Sequence, residues 1–489
     1  MKSSYLYFRW ISILFFSLLL ISNSYSQNYN DALRLGVPGL GSNARALGMG
    51  DSYIGLSDDD GAAFFNPAGW ALTKKMSFSG GLSYDTYGNN TTFFGQSTNY
   101  SNSATRLNDL SFTLPFPTVR GSLVFAVTYH TTKDLTSAVK FSGFNNANNS
   151  FIQDLNSNTN IPYDLYLTDT NFVTPINGHL NQSGTILGAG ELHDWTFSGA
   201  IEAYRNLFIG LNLNFSSGSY NSNNNYYEDD TQGNYSNIET DPGNSETKGF
   251  QTFNLNRILN WDISGWNAKF GVLYQIQDKA RVGITVQFPK SYTVKETYDV
   301  NGTSQFSSGY SFSLDPSKYS DQVQYDIVTP YELSFGGSAN ISSLILSAQA
   351  TLIDYTQMQF ENADGLTTEY VNKINQQIKD VLRSVFNYNV GAEYTFPEIG
   401  IRLRAGYMVQ PSAFQSDAST SDYDKKYITF GVGYLAEGAV GFDLAYAHGM
   451  WKDYGDNYGG GNDIYPAGIS RTYQDISKDK LMLSMTYRF

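Results

Sequence analysis

The chain has 489 residues, a net charge of −14, no cysteine, and an excess of Tyr (37), Phe (32) and Gly (45). The missing cysteines exclude a disulfide framework and a lipid-anchored cysteine. The acidity argues against nucleic acid, which is bound through basic patches.

At the N-terminus, Lys2 and Arg9 precede an apolar run from Ile11 to Ile21, and Ser24-Tyr25-Ser26 supplies the small residues of a cleavage site. The run is too short for a membrane helix, which needs roughly 20 apolar residues. Residues 1–26 therefore read as a secretory signal peptide.

Residues 27–75 come next and are rich in small residues, with Gly36, Gly39, Gly41, Gly48 and Gly50 as punctuation. The stretch "DDDGAAFFNPAGW" begins at Asp58 and stands apart from the alternating segments that follow. Asp58 to Asp60 are expected to cap a short helix, since carboxylates satisfy free amides and suit its positive end. Asn66 is expected to stop that helix before Pro67.

From residue 76 to 489 the pattern is alternation with period two in segments of about ten residues. The final segment "LMLSMTYRF" puts Leu481, Leu483, Met485, Tyr487 and Phe489 on one face. Fourteen such strands are expected, near 76–87, 107–115, 120–131, 191–203, 205–218, 265–277 and 279–289, then 330–339, 343–353, 386–396, 400–409, 426–436, 439–448 and 480–489. Tight turns alternate with long loops rich in Asn, Ser, Gly and Asp. That segregation marks an all-β, 14-stranded antiparallel transmembrane barrel with short periplasmic turns and long extracellular loops. Residues 27–75 are then expected to form a hatch, a plug inside the lumen.

"NARALGMGDSYIGLSDDDGAAFFNPAGWAL" resembles the hatch of the FadL long-chain fatty-acid transporter family. The likeness rests on Asn66, Pro67 and Ala68, with Asp58 and Asp59 ahead of them. Weaker echoes are "TLIDYTQMQF" and "IRLRAGYMVQPSAF". The resemblance implies a 14-stranded barrel with an N-terminal hatch in the outer membrane of a bacterium. It also implies passive uptake of small hydrophobic molecules, long-chain fatty acids or aromatic hydrocarbons, leaving through a wall gap beside the third strand. Strand three, "RGSLVFAVTYH", has no proline and only Gly121 near its start, so the sequence itself marks no break there. FadL-like barrels also serve as partners or shuttles in type IX secretion, which is the rival function.

Candidate ligand contacts are Phe64 and Phe65 in the hatch, and Phe141 and Phe144 in what reads as the loop after strand three. In "EYVNKINQQIKDVLRSVF", Val371, Ile374, Ile378 and Leu382 recur at helical spacing, which predicts an amphipathic helix over the extracellular mouth. Arg402 and Arg404 are expected to face the lumen, with Glu393 opposite Arg404. A cross-strand ion pair is one role for these arginines. Holding the hatch acids Asp58 to Asp60, or a substrate carboxylate during passage, is the other, since the planar guanidinium fork suits carboxylates; the position near the periplasmic turn favours the hatch acids.

No catalytic set is recognised. His130, His179, His193 and His448 are scattered, neither G-x-S-x-G nor H-E-x-x-H occurs, and "SDDDG" is too short for a calcium loop. No enzyme activity, cofactor or metal is expected. The expected partners are a hydrophobic small molecule and outer-membrane lipid, with the chain acting alone.

Overall fold

The computed structural model describes residues 27–458 and 468–489. The signal-peptide reading of residues 1–26 lies outside the described residues. The strands are β1 (Ser77–Phe93), β2 (Gln96–Phe116), β3 (Leu123–Asp134), β4 (Ser137–Asn145), β5 (Leu180–Tyr204), β6 (Leu207–Asp229) and β7 (Phe250–Ile276). They continue as β8 (Ala280–Gln287), β9 (Ser291–Phe306), β10 (Ser311–Ser313), β11 (Ser320–Val328), β12 (Glu332–Ile341), β13 (Leu344–Asp354) and β14 (Gln359–Asp364). The last five are β15 (Ser384–Phe396), β16 (Ile401–Gln410), β17 (Lys425–Ala436), β18 (Val440–Asp456) and β19 (Arg471–Arg488).

Where two segments continue one path, as β3 into β4 or β8 into β9, they count as one pass, and the sheet is a 14-stranded antiparallel barrel. It closes through β1 on β19, from Ser77 opposite Arg488 to Thr92 opposite Tyr473. Closure pairs the first strand with the last, as a bilayer core demands because it offers no water to unpaired backbone groups. Alternation decides which side chains meet lipid. Leu481, Leu483, Met485 and Tyr487 are 44–50% exposed, while the intervening Met482 is fully buried.

The strands outrun the sequence reading. β1 and β2 form one long hairpin with its turn at Phe94-Gly95, where a long loop was expected. β6 and β7 run to 23 and 27 residues, far beyond the 9–11 that span a bilayer. Their outer halves carry a cap with its own aromatic core, in which Phe93, Phe141, Phe151, Tyr226, Phe253 and Tyr458 are buried. Phe141 and Phe144 lie in β4, not in a loop, and Phe141 is 1% exposed, so the expected greasy surface there is interior packing.

Residues 27–75 fold against the inner wall as two short helices, α1 (Tyr29–Gly36) and α2 (Ala44–Gly48), and two 3-10 turns. Asn28 and Asn43 cap the helices. Asp59 alone of the three aspartates is a cap, accepting from Gly61 N at 2.9 Å. Asn66 caps the second 3-10 turn, Pro67–Leu72, and so starts a helix instead of stopping one. Proline fits there because a first-turn residue needs no amide hydrogen.

The wall makes room for this segment with inward glycines. A Cβ on Gly406 would sit 2.2 Å from Gly50 N, and one on Gly210 2.4 Å from the Pro67 carbonyl carbon. Further along, α3 (Phe151–Asn158) and α4 (Ile161–Asp164) belong to the cap, and α5 (Thr368–Val381) is the amphipathic helix expected from its spacing.

Candidate functional site

Two features inside the barrel bear on function: a polar seal on the periplasmic side and a cavity above it.

The seal is centred on Arg45 of α2. Its guanidinium donates to Asp58 Oδ1 at 2.6 Å, Asp59 Oδ2 at 3.0 Å, and both oxygens of Glu393 on β15 at 3.0 and 3.2 Å. From the wall, Arg281 on β8 donates to Asp58 Oδ2 at 2.9 Å and to the Leu56 carbonyl at 3.2 Å. Burial would raise the Asp58 carboxyl, but the Arg45 and Arg281 charges outweigh it and hold it well below the usual carboxylate range.

Arg404 pairs with Glu393 and with Asp443, each at 2.6 Å. The cross-strand Glu393–Arg404 pair is therefore present, but Arg404 does not hold the hatch acids. The link runs the other way, from a wall carboxylate to an arginine of the N-terminal segment. Arg402 is half-buried and borders a small crevice with Asp59 and Asp60.

Asn66 ties the two parts through its side-chain amide, donating to the Ile54 carbonyl at 3.0 Å and to Val272 of β7 at 3.1 Å. Pro67 and Ala68 are buried beside β6. Asn212 and Asn389 donate from the wall to the carbonyls of Ala63 and Gly50, at 2.6 and 2.7 Å. Each bond satisfies a backbone carbonyl in a segment too irregular to satisfy its own.

The cavity has a volume of about 380 Å³ and lies between α1, the Pro38-Gly39 bend and the wall. Leu33, Val37, Leu40, Leu135, Phe414 and Trp451 give it apolar surface. Six basic side chains line it against four acidic ones. Lys478 pairs with Asp134 at 2.7 Å and Lys480 with Asp85 at 3.6 Å. Lys133 donates to the Val37 carbonyl at 2.5 Å, and the Lys425 ammonium sits 5.3 Å from the Trp451 ring centroid.

None of the eight ligand candidates read from the sequence lines this cavity. Phe65 is buried, and Phe64 packs edge-on to His130 at 5.5 Å, below it. Ile374, Ile378 and Leu382 are buried in a core that includes Ala32, Leu33 and Leu35 of the N-terminal segment, with Val371 partly buried beside it. Helix α5 thus packs down on α1, and the Tyr370 hydroxyl donates to the Gln27 carbonyl at 2.7 Å. The cavity residues escaped sequence reasoning because they come from passes hundreds of residues apart. The one available signal was the lysines at inward-facing positions of β17 and β19. Arg45 likewise carried only the hint that Glu393 faced inward near the hatch.

The ladder between the second and third passes is interrupted part-way up the wall. β2 and β3 pair from Phe116 opposite Leu123 up to Asp109 opposite His130, and their ladder ends there. β3 shifts register at Thr131/Lys133, breaks after Asp134, and resumes as β4 paired to β5. β4 lies inside the β1–β2 hairpin, where Asn89 of β1 donates to the Ala138 carbonyl at 2.9 Å. A break does exist in the third pass, beyond the stretch in which the sequence showed none.

The closed barrel, the inward segment and the luminal cavity define an outer-membrane transport barrel. A family model described as outer membrane protein transport protein (OMPP1/FadL/TodX) matches residues 190–489, and the chain belongs to that family. Its fold is that of a FadL homologue from Pseudomonas aeruginosa, with a TM-score of 0.56 at 14% identity over 93% of this chain and 99% of that one. The P. putida toluene transporter TodX gives 0.54 at 14% identity over 92% and 99%. The Ralstonia pickettii toluene transporter TbuX gives 0.50 at 15% over 91% and 98%. At these identities the likeness is one of fold. No curated protein matches the sequence.

Proposed function

We propose that the protein is a passive outer-membrane channel for small hydrophobic molecules bearing an anionic head, with long-chain fatty acids as the leading class. The observation that carries this reading is the charge of the cavity. In a chain of net charge −14, the lining holds six basic and four acidic groups beside apolar walls. A hydrocarbon tail gains roughly 25 cal/mol per Å² buried, and an ammonium adds a charge-assisted bond to a carboxylate. A neutral aromatic hydrocarbon offers the lysines only its ring face, a weaker contact than a carboxylate makes.

In this reading residues 27–75 are the hatch, held in the lumen by Arg45, Arg281, Glu393 and Asn66. Its displacement, or passage sideways at the break in the third pass, releases the ligand. Helix α5 and α1 form the roof of the route, not a separate capture groove.

The test is equilibrium binding of a fluorescent long-chain fatty acid to the refolded barrel, competed by the matching long-chain alcohol and by toluene. Saturable binding displaced weakly by the alcohol supports an anionic head. Equal displacement by toluene transfers the reading to neutral hydrocarbons. Absence of saturable binding, with an exported protein co-purifying, favours the secretion-partner function.

A further inference from the structure

A second, much smaller cavity of about 10 Å³ lies between the N-terminal segment and the wall. Its polar lining comes from four stretches of chain. Ser42 stands just ahead of α2, and Asp60 opens the 3-10 turn Asp60–Ala63. Asp109 and Ser111 come from β2, and Thr128 and His130 from β3. Register brings the wall residues together. Asp109 stands opposite His130 and Ser111 opposite Thr128, so two inward cross-strand pairs lie one above the other. Asn108 holds Ser42 against them, donating to its carbonyl at 2.8 Å.

Five of these side chains end in an atom with no hydrogen-bond partner among the described residues: Ser42 Oγ, Asp109 Oδ2, Ser111 Oγ, Thr128 Oγ1 and His130 Nδ1. All five residues are only 3–4% exposed. A buried polar atom left alone is costly, and five around one cavity require a shared partner. Charge narrows the choice. The arginines of the seal are taken up by Asp58, Asp59, Glu393 and Asp443. No Lys or Arg lines this cavity, so Asp60 and Asp109 face it without a cation from the protein.

The geometry points to a binding site for one dehydrated sodium ion, which ties the N-terminal segment to the second and third strands. The volume suits a single occupant about the size of a water molecule. Water itself is the poorer fit, since a buried water makes about three hydrogen bonds and carries no charge to set against the carboxylates. Among the described residues no three His, Asp or Glu side chains gather as a zinc or calcium site requires. The donors are mostly neutral hydroxyls with one or two carboxylates, a set of hard oxygens for a monovalent ion. Asp60 also lines two crevices on the periplasmic side, which gives the ion its way in. No sequence motif announces such a site, because its donors lie up to 88 positions apart, from Ser42 to His130. It shares no lining residue with the large cavity, so it goes beyond the channel reading and does not depend on the ligand.

The test is hydrogen exchange on the refolded protein in sodium chloride and in choline chloride of equal ionic strength. An ion that binds only the closed segment slows local opening by one plus its concentration over its dissociation constant. Amides of residues 60–64 should therefore exchange about tenfold more slowly when sodium is at about ten times that constant, while β15 and β16 stay unchanged. Asp109→Asn keeps the shape, removes the charge, and is expected to abolish the sodium dependence. Ser111→Ala removes one neutral donor and should move the midpoint about fivefold to higher sodium. It keeps the test open if Asp109→Asn does not fold, as judged by heat-modifiable migration.

Identical exchange in sodium and choline overturns the site and assigns the cavity to water. A response reached at about a hundredfold less calcium than sodium overturns the monovalent ion. Sodium dependence that survives both substitutions in folded protein places the ion elsewhere and overturns the assignment as well.

Discussion

Glu393→Gln is the sharpest probe of how the N-terminal segment is held. The side chain of Glu393 is 3% exposed and carries two arginines, Arg45 from the N-terminal segment and Arg404 from the next strand. Glutamine keeps the shape and one acceptor but removes the charge. Breaking a buried pair costs about 3–5 kcal/mol when it strands the partner. Neither arginine is stranded here, because Arg45 retains Asp58 and Asp59, and Arg404 retains Asp443. The expected loss is therefore smaller, about 2 kcal/mol. It falls on local opening of residues 27–75, since the barrel ladder is untouched. Hydrogen exchange resolves such local opening, and amides of α2 should exchange roughly 30-fold faster while those of β15 and β16 stay protected. Unchanged exchange in α2 would refute the reasoning and assign the anchoring to the asparagine–carbonyl bonds.

Asp51 gives a pH prediction. Burial pushes its carboxyl from 3.8 up to about 6, against the opposing Gly41 amide bond and the Lys480 charge. A raised carboxyl favours the neutral form in the folded segment, so stability from this group is full below about pH 4 and is lost as pH rises through 6. Asp51→Asn should stabilise the segment at pH 7.5 by up to about 3 kcal/mol, with no difference at pH 4, read by exchange at both pH values. Asparagine still accepts from Gly41 and tolerates the positive φ of 53°. Lys425→Met should weaken fluorescent fatty-acid binding about tenfold and leave the matching alcohol within about twofold. Equal losses for both ligands would show that Lys425 acts by packing. Gly406→Val puts side-chain carbon where Gly50 stands, 2.2 Å away. The barrel should still migrate as folded, and residues 27–75 should become sensitive to limited proteolysis.

The sequence by itself determined the wall within the bilayer and the kind of segment that precedes it. Lipid on one side and a packed lumen on the other force alternation on every strand, and the short turns at one end fix the count. That logic stops at the membrane surface. Beyond it the outward face meets water and polar residues suit both sides, so the outer halves of β1 and β2, from Gly88 to Arg106, read as loop although they are strand. The same loss of contrast made Phe141 look exposed when the cap buries it.

Only the tertiary structure decided the rest. Alternation states which way a side chain faces, but not what stands opposite across the lumen. Glu393 was legible as inward-facing, while its partner Arg45 lies 348 positions away in the chain. The cavity lysines come from β3, β17, β18 and β19, and the break in the third pass follows from β4 folding under β1. These are facts of register and closure, set by long-range packing that no local window of sequence contains.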